Sequence, residues 1–213
     1  MSRIDEDLNA SSKPRIVITF DDGYRSNFDV AVPILRHHGV RAIFFLIAGA
    51  YGNGFSDGEG VWSKPISKDF LLTEYQVFEM LKDGHSIGSH TMSHANLGLI
   101  PSNSLVSEIE LSRENLQRVF GVDVRSFALP FGTPHSFRED SIKSVMQSYE
   151  FFFHSFPCRS SVTDVKSLGR YCLEPSFEIS ELRLRMAGIL NWRYRHARSE
   201  LNGYVKNGGK FLT

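Results

Sequence analysis

The sequence predicts an α/β fold built on a parallel sheet, open or closed into an incomplete barrel. Short β-branched and aromatic runs alternate with segments of helical period. The runs are nearly continuous in apolar character, as strands buried on both faces are. Polar residues of chemical interest recur just after these runs, on the edge where βα folds gather their functional groups. The chain has 213 residues and 41% hydrophobic content, enough for one domain with a sizeable core.

Taken in order, residues 16–20 (IVITF) read as the first strand. An amphipathic helix over 27–37 follows, and His37 and His38 satisfy its last carbonyls. Residues 41–47, rich in Ile and Phe, form the second strand. A loop over 49–67 carries five glycines, and loops of that length are commonly lids or binding loops. Thr73 caps a helix running through Lys82, and 85–89 is a short buried strand. Residues 102–120 have helical spacing, 125–129 are strand-like, and 136–148 are helical. Residues 150–154 and 168–173 read as two further strands, and Ser180 caps a last long helix beginning near Glu181. Repeats and low-complexity linkers are absent, so one domain is expected over 1–213, with a core at 15–190 and a basic tail at 191–213.

Charge and composition narrow the function classes. Lys+Arg and Asp+Glu number 24 each, so no global charge recommends nucleic acid as a partner. Residues 1–15 are polar without an apolar h-region, and the most apolar stretch, 42–50, is too short to span a bilayer. Cys158 and Cys172 need not pair, which fits a reducing cytoplasm. From Arg193 onward five basic residues face one acid, Glu200. That tail reads either as a solvated helix or as a clamp for an anionic glycan, a lipid-linked diphosphate or the inner membrane face.

Two clusters carry the chemistry: Thr19-Phe20-Asp21-Asp22-Gly23 and Ser89-His90-Thr91-Met92-Ser93-His94. Together they offer two carboxylates and two imidazoles, enough for a three-ligand metal site with a spare base. A lone Asp-Asp-Gly reads more readily as a capping turn after a strand, and a lone His90/His94 pair reads equally well as a capped helix start with surface or packed histidines. His90 and His94 are spaced i, i+4, which puts both rings on one side of a helical turn. Jointly the clusters are much more specific. Pro130-Phe131-Gly132 follows the fourth strand and His154 ends the fifth, so residues more than a hundred positions apart would converge. The Phe151-Phe152-Phe153 run is strand core.

At these residues the chain resembles the polysaccharide deacetylase family, the NodB-homology or chitin-deacetylase-like carbohydrate esterases. Its T-F-D-D-G motif is intact at Thr19 to Gly23, and its H-[ST]-x-x-H motif is met by His90, Thr91 and His94. Its third motif, close to R-x-P-[YF]-G, is matched by Ala128-Leu129-Pro130-Phe131-Gly132. The resemblance implies a distorted (β/α) barrel with fewer than eight strands, and removal of acetyl groups from N-acetylated sugars. It implies one divalent ion, Zn²⁺ first, with Co²⁺, Ni²⁺ or Fe²⁺ as substitutes. Carried over, Asp22, His90 and His94 hold the metal, Asp21 is the general base, and the Phe131 N–H faces the oxyanion in a loop turned by Pro130 and Gly132. Trp62, in the Gly-rich loop, reads either as a platform that stacks a sugar ring or as an anchor of its own loop.

Two departures stand out. Ala128 replaces the arginine that braces the base in the family, a subfamily trait that leaves Asp21 without that brace. The late Leu-x-His that supplies the general acid has no match, because Leu168-Gly169-Arg170 lacks the histidine. His154 is then preferred as the acid over His135, since it ends a strand on the metal's side. Rival readings are a same-fold amidohydrolase acting on a small non-sugar amide, a non-haem iron oxygenase, and a non-catalytic member that keeps its metal.

Overall fold

Six short parallel strands follow one another across a single curled sheet in chain order, a half-barrel with helices outside it. In this computed structural model the described residues are 16–52, 68–157, 167–174, 176–189 and 191–208. The strands are β1 (Ile18–Phe20), β2 (Ala42–Leu46), β3 (Ser86–Ser89), β4 (Ser126–Ala128), β5 (Phe151–His154) and β6 (Ser167–Gly169). Between and after them lie α1 (Val32–His37), α2 (Glu74–Lys82), α3 (Ser112–Phe120), α4 (Glu139–Ser148), α5 (Ile179–Met186) and α6 (Arg195–Gly208). Parallel neighbours need a crossover each time, and α1 to α4 provide it from β1 to β5, while the β5–β6 connection runs through residues outside those described.

The alternation of side chains along β2 divides the interior in two. Ala42, Phe44 and Leu46 face the helical layer, where Val77, Met80, Leu116, Phe120, Ile142 and Val145 cover them. Ile43 and Phe45 point the other way and join Ala128, Phe151 and Phe153 in a small cluster inside the curl. Phe45 and Phe153 meet there with ring centroids 5.1 Å apart. A Cβ at Gly88 would lie 2.5 Å from Phe45, so only glycine lets that ring lie across β3.

Local chemistry explains the element boundaries. Thr73 accepts the Gln76 N–H, and Gln76 returns the bond to the Thr73 N–H, a capping box that starts α2 where expected. Each strand is shorter than the segment predicted for it, and β6 also starts one residue earlier, at Ser167. Residues 102–120 are helical as expected: after a short 3₁₀ turn (Ser102–Ser104) the helix continues, and a wide, π-helical turn (Ser107–Leu111) leads without a break into α3. The helix expected from 136 begins at Glu139, since Ser136 is spent in a turn on Thr133.

The last long helix is two. Gly188, at φ 80°, closes α5 with its N–H on the Arg185 carbonyl and the Ile189 N–H on Leu184, a left-handed helix terminus. Glu178 takes the cap position there, not Ser180. The tail helix α6 is not merely solvated. Leu201 is fully buried, Tyr204 meets the Phe137 ring at 6.2 Å, and Arg198 donates to the Pro157 carbonyl at 2.7 Å. Trp62 and Cys158 lie outside the described residues. Among the described residues no helix is long and apolar enough to cross a membrane.

Candidate metal centre and its neighbouring base

The segments leaving the carboxyl ends of β1 and β3 bring Asp22, His90 and His94 together. One ligand atom from each lies within 4.8 Å of the others. The His90 and His94 Nε2 atoms stand 3.4 and 3.2 Å from the same Asp22 oxygen, Oδ1. That oxygen is buried and has no hydrogen-bond partner, an arrangement that suits a cation. His90 is fully enclosed, and its Nδ1 sits 2.8 Å from the Ala128 carbonyl, which can only accept. The proton is thereby fixed on Nδ1 and Nε2 is left as a lone-pair donor, the usual support of a metal-ligating histidine. Burial, more than the neighbouring His94 and Arg170, pushes the His90 imidazolium below its ordinary range, so the ring is neutral as a ligand must be. Two imidazoles and one carboxylate with an open position fit a hydrolytic Zn²⁺-type site.

These ligands stand on unusual backbone. The non-glycine residues with positive φ among those described are Asp22 (69°), Thr91 (68°), His94 (60°) and Phe131 (64°). All four lie in the motifs singled out above. Left-handed backbone at a β-branched residue such as Thr91 is costly and persists only where the surroundings impose it. Phe131 centres a γ-turn in which the Gly132 N–H reaches the Pro130 carbonyl at 2.8 Å. The half-exposed Phe131 ring stands 4.7 Å from His94, walling the open side of the cluster. Glycine is required at 132, where a Cβ would fall 2.3 Å from Ser155.

Asp21 is not among the clustered ligand atoms, and its carboxylate sits in a brace that was not expected. The Arg170 guanidinium grips both its oxygens, Nη1 to Oδ1 at 2.5 Å and Nη2 to Oδ2 at 2.8 Å, and also donates to Thr19 Oγ1 at 3.1 Å. Burial works to raise the Asp21 carboxyl, but Arg170, with His90 and His94, outweighs it and holds the group below the ordinary carboxylate value. Asp21 is therefore ionised at neutral pH. Arg170 follows Leu168-Gly169 at the end of β6, and it supplies from that strand the brace that Ala128 cannot supply from β4. The available signal was an arginine missing after one strand and an extra one at the end of another.

His154 ends β5 as expected but is sealed in. Its Nδ1 accepts the Phe156 N–H at 3.2 Å, and the Phe152 and Phe156 rings lie 5.8 and 5.4 Å away. Burial first, then Arg170 and Arg198, push it down to about 3. The ring is neutral at pH 7, with its proton on Nε2. His135 is exposed in the loop after the third motif.

Fold and site together define an α/β half-barrel with a two-histidine, one-carboxylate centre at its strand ends. A family model described as "Polysaccharide deacetylase" matches residues 9–152, and the chain belongs to that family. It is 33% identical over 119 residues to a chitooligosaccharide deacetylase of Azorhizobium caulinodans, covering 55% of this chain and 48% of that one. It is 29% identical over 122 residues to a peptidoglycan-N-acetylglucosamine deacetylase of Bacillus cereus, covering 57% and 38%. The matched segment thus spans less than half the length of either relative. The fold is similar to that of the Streptococcus pyogenes deacetylase PplD in complex with acetate (TM-score 0.68, 22% identity, 84% of this chain and 73% of that one).

Proposed function

We propose that this protein is a metal-dependent hydrolase that removes the acetyl group from an N-acetylated sugar in a glycan or glycan precursor. One observation carries the reading: two imidazole nitrogens converge on an orphaned carboxylate oxygen, with a second carboxylate held by its own arginine. The names of the relatives, which act on chitooligosaccharide and on peptidoglycan N-acetylglucosamine, support the substrate class.

A divalent ion held by Asp22, His90 and His94 would act as a Lewis acid, acidifying a water and polarising the acetyl carbonyl. Asp21 takes the proton of the attacking water. It is suited to this because Arg170 keeps it ionised and it is not among the clustered ligand atoms. The Phe131 N–H, presented by the Pro130–Gly132 turn, donates to the carbonyl oxygen as it gains charge. Collapse needs a proton on the departing nitrogen. The depressed His154 is a poor imidazolium acid, which favours Asp21 returning the proton it took. Trp62 remains the candidate for stacking a sugar ring. The docked tail helix remains a candidate for weak contact with a lipid-linked substrate or a membrane face, and the compartment proposed is the cytoplasm.

The test is acetate release from N-acetylhexosamines presented free, as oligomers and in nucleotide- or lipid-linked form, with metal removed and restored. Metal-dependent release from one of these classes is expected. Metal-loaded protein that releases acetate from none of them, but cleaves a small non-sugar amide, would overturn the substrate assignment.

A further inference from the structure

We infer that Glu108, in the wide turn before α3, is the positioning residue that holds the turn carrying His90 and His94 in ligand geometry. This role rests on the proposal that those two imidazoles hold a divalent ion.

Between the two histidines the chain runs through Thr91, Met92 and Ser93, with left-handed backbone at Thr91 and again at His94. Such a turn does not hold itself in place. On one side it is pinned to the end of β2: the His90 N–H donates to the Leu46 carbonyl at 2.8 Å, and the Thr91 and Met92 carbonyls accept from the Ala48 and Gly49 N–H groups at 3.0 and 2.8 Å. Inside the turn, Thr91 Oγ1 accepts the Ala95 N–H at 3.2 Å. On the other side stands Glu108. Its Oε2 accepts the Met92 N–H at 3.1 Å and the Ser93 N–H at 2.9 Å, and its Oε1 accepts the Ser93 hydroxyl at 2.7 Å. Its main-chain carbonyl accepts the Met92 N–H as well, at 3.1 Å.

One carboxylate thus gathers three donors from the two residues that precede His94. Charge-assisted bonds to consecutive backbone N–H groups are strong and directional. They meet the turn on the side opposite β2, so the segment is clamped between two elements. Glu108 touches neither the ligand atoms nor the substrate space, and it acts through His94. Groups that orient ligands in this way typically change metal affinity by about 10–100-fold when removed. The Ser112 hydroxyl bonded to the Ile109 carbonyl at 2.8 Å fixes the next residues of the same turn, so the carboxylate is presented from a rigid base.

The experiment measures Zn²⁺ affinity by competition with a chromophoric chelator, and the visible spectrum of the Co²⁺ form, in the full chain. Glu108→Ala is expected to weaken Zn²⁺ by about 10–100-fold and to alter the Co²⁺ spectrum. Glu108→Gln, whose amide oxygen can still accept both N–H groups, is expected to stay near wild type. Glu110→Ala removes the same charge from an exposed position of the same turn, and it is expected to change neither readout.

Wild-type affinity in a folded Glu108→Ala would overturn this role, and so would equal losses in the Gln and Ala variants, which would make the effect one of charge. If Glu108→Ala does not fold, Glu108→Asp decides. It keeps the charge but is one methylene too short to reach all three donors, so weakened Zn²⁺ binding is expected and unchanged binding refutes the role. Absence of Zn²⁺ or Co²⁺ uptake by the wild type would instead overturn the metal proposal itself.

Discussion

Replacing Arg170 by Gln takes the guanidinium off both Asp21 oxygens at once and leaves burial opposed only by the neighbouring His90 and His94. Two effects follow, and their sizes can be worked out. The first is stability. Arg170 is 11% exposed and Asp21 34%, so the pair lies between a surface ion pair, worth about 0–1 kcal/mol, and a buried one, whose breaking costs about 3–5 kcal/mol. With that exposure discounted, a loss of about 2–3 kcal/mol is expected. For a chain of this size it lowers Tm by roughly 5–10 °C.

The second effect is on proton affinity. The Asp21 carboxyl is depressed in the folded protein, so its contribution is fully present above the unfolded value near 3.9 and is lost as pH falls through the folded value. The stability gap between wild type and Arg170→Gln should therefore narrow below about pH 4. In the variant, the raising effect of burial is no longer opposed by Arg170. An arginine beside an aspartate is worth about 1–3 pKa units, and the acid limb of kcat/KM should move up by that much. Acetate release as a function of pH, with thermal unfolding of the same samples, reads both effects. An unmoved acid limb together with an unchanged Tm would refute the reasoning.

Further outcomes follow from the same geometry. Asp21→Asn should lower kcat by about 10²–10⁴-fold, the usual worth of a general base, as read from acetate release at saturating substrate. His154→Gln should keep most turnover, because a ring held down to about 3 is not an acid at neutral pH; a loss of about 10²–10⁴-fold would make His154 the proton donor after all. The same substitution should flatten a pH dependence of stability. A histidine depressed on folding favours the folded state above about 6.5 and costs roughly 1 kcal/mol per pH unit as pH falls from there towards 3, measurable as urea midpoints between pH 6 and 4. Gly88→Ala should destabilise by about 1–3 kcal/mol, because its Cβ would lie 2.5 Å from Phe45 and 2.9 Å from the Ser126 carbonyl; an unchanged urea midpoint would contradict the tight packing inside the curl.

The sheet was legible in the sequence because its central strands are buried on both faces, and β2 and β5 in particular read as apolar runs. The ligand trio was legible because Asp22 and His90 lie just past strands, strand ends of a parallel sheet share one edge, and His94 follows His90 at a spacing of four. Arg170 was not. It meets Asp21 across 149 positions of chain, and nothing local to β6 says that its side chain closes the curl back onto β1. The break at Gly188 was also missed, since glycine inside a helical pattern reads as a tolerated weak position until its φ is seen. The burial of Leu201 did have a signature, the helical spacing of Tyr194, Ala197, Leu201 and Tyr204, set within a segment whose composition is basic and polar. His154 shows the complementary limit: the strand end was placed correctly, but the aromatic seal around it is set by tertiary packing.

The central claim is that Asp22, His90 and His94 hold one divalent ion while Asp21 stays off it. Metal analysis of the purified wild type, the His90→Ala/His94→Ala double variant and Asp21→Asn tests this most directly. About one ion per chain is expected in the wild type and in Asp21→Asn, by the logic of a three-ligand site, and none in the double variant. Undiminished metal in the double variant, or loss of metal from Asp21→Asn, would contradict it.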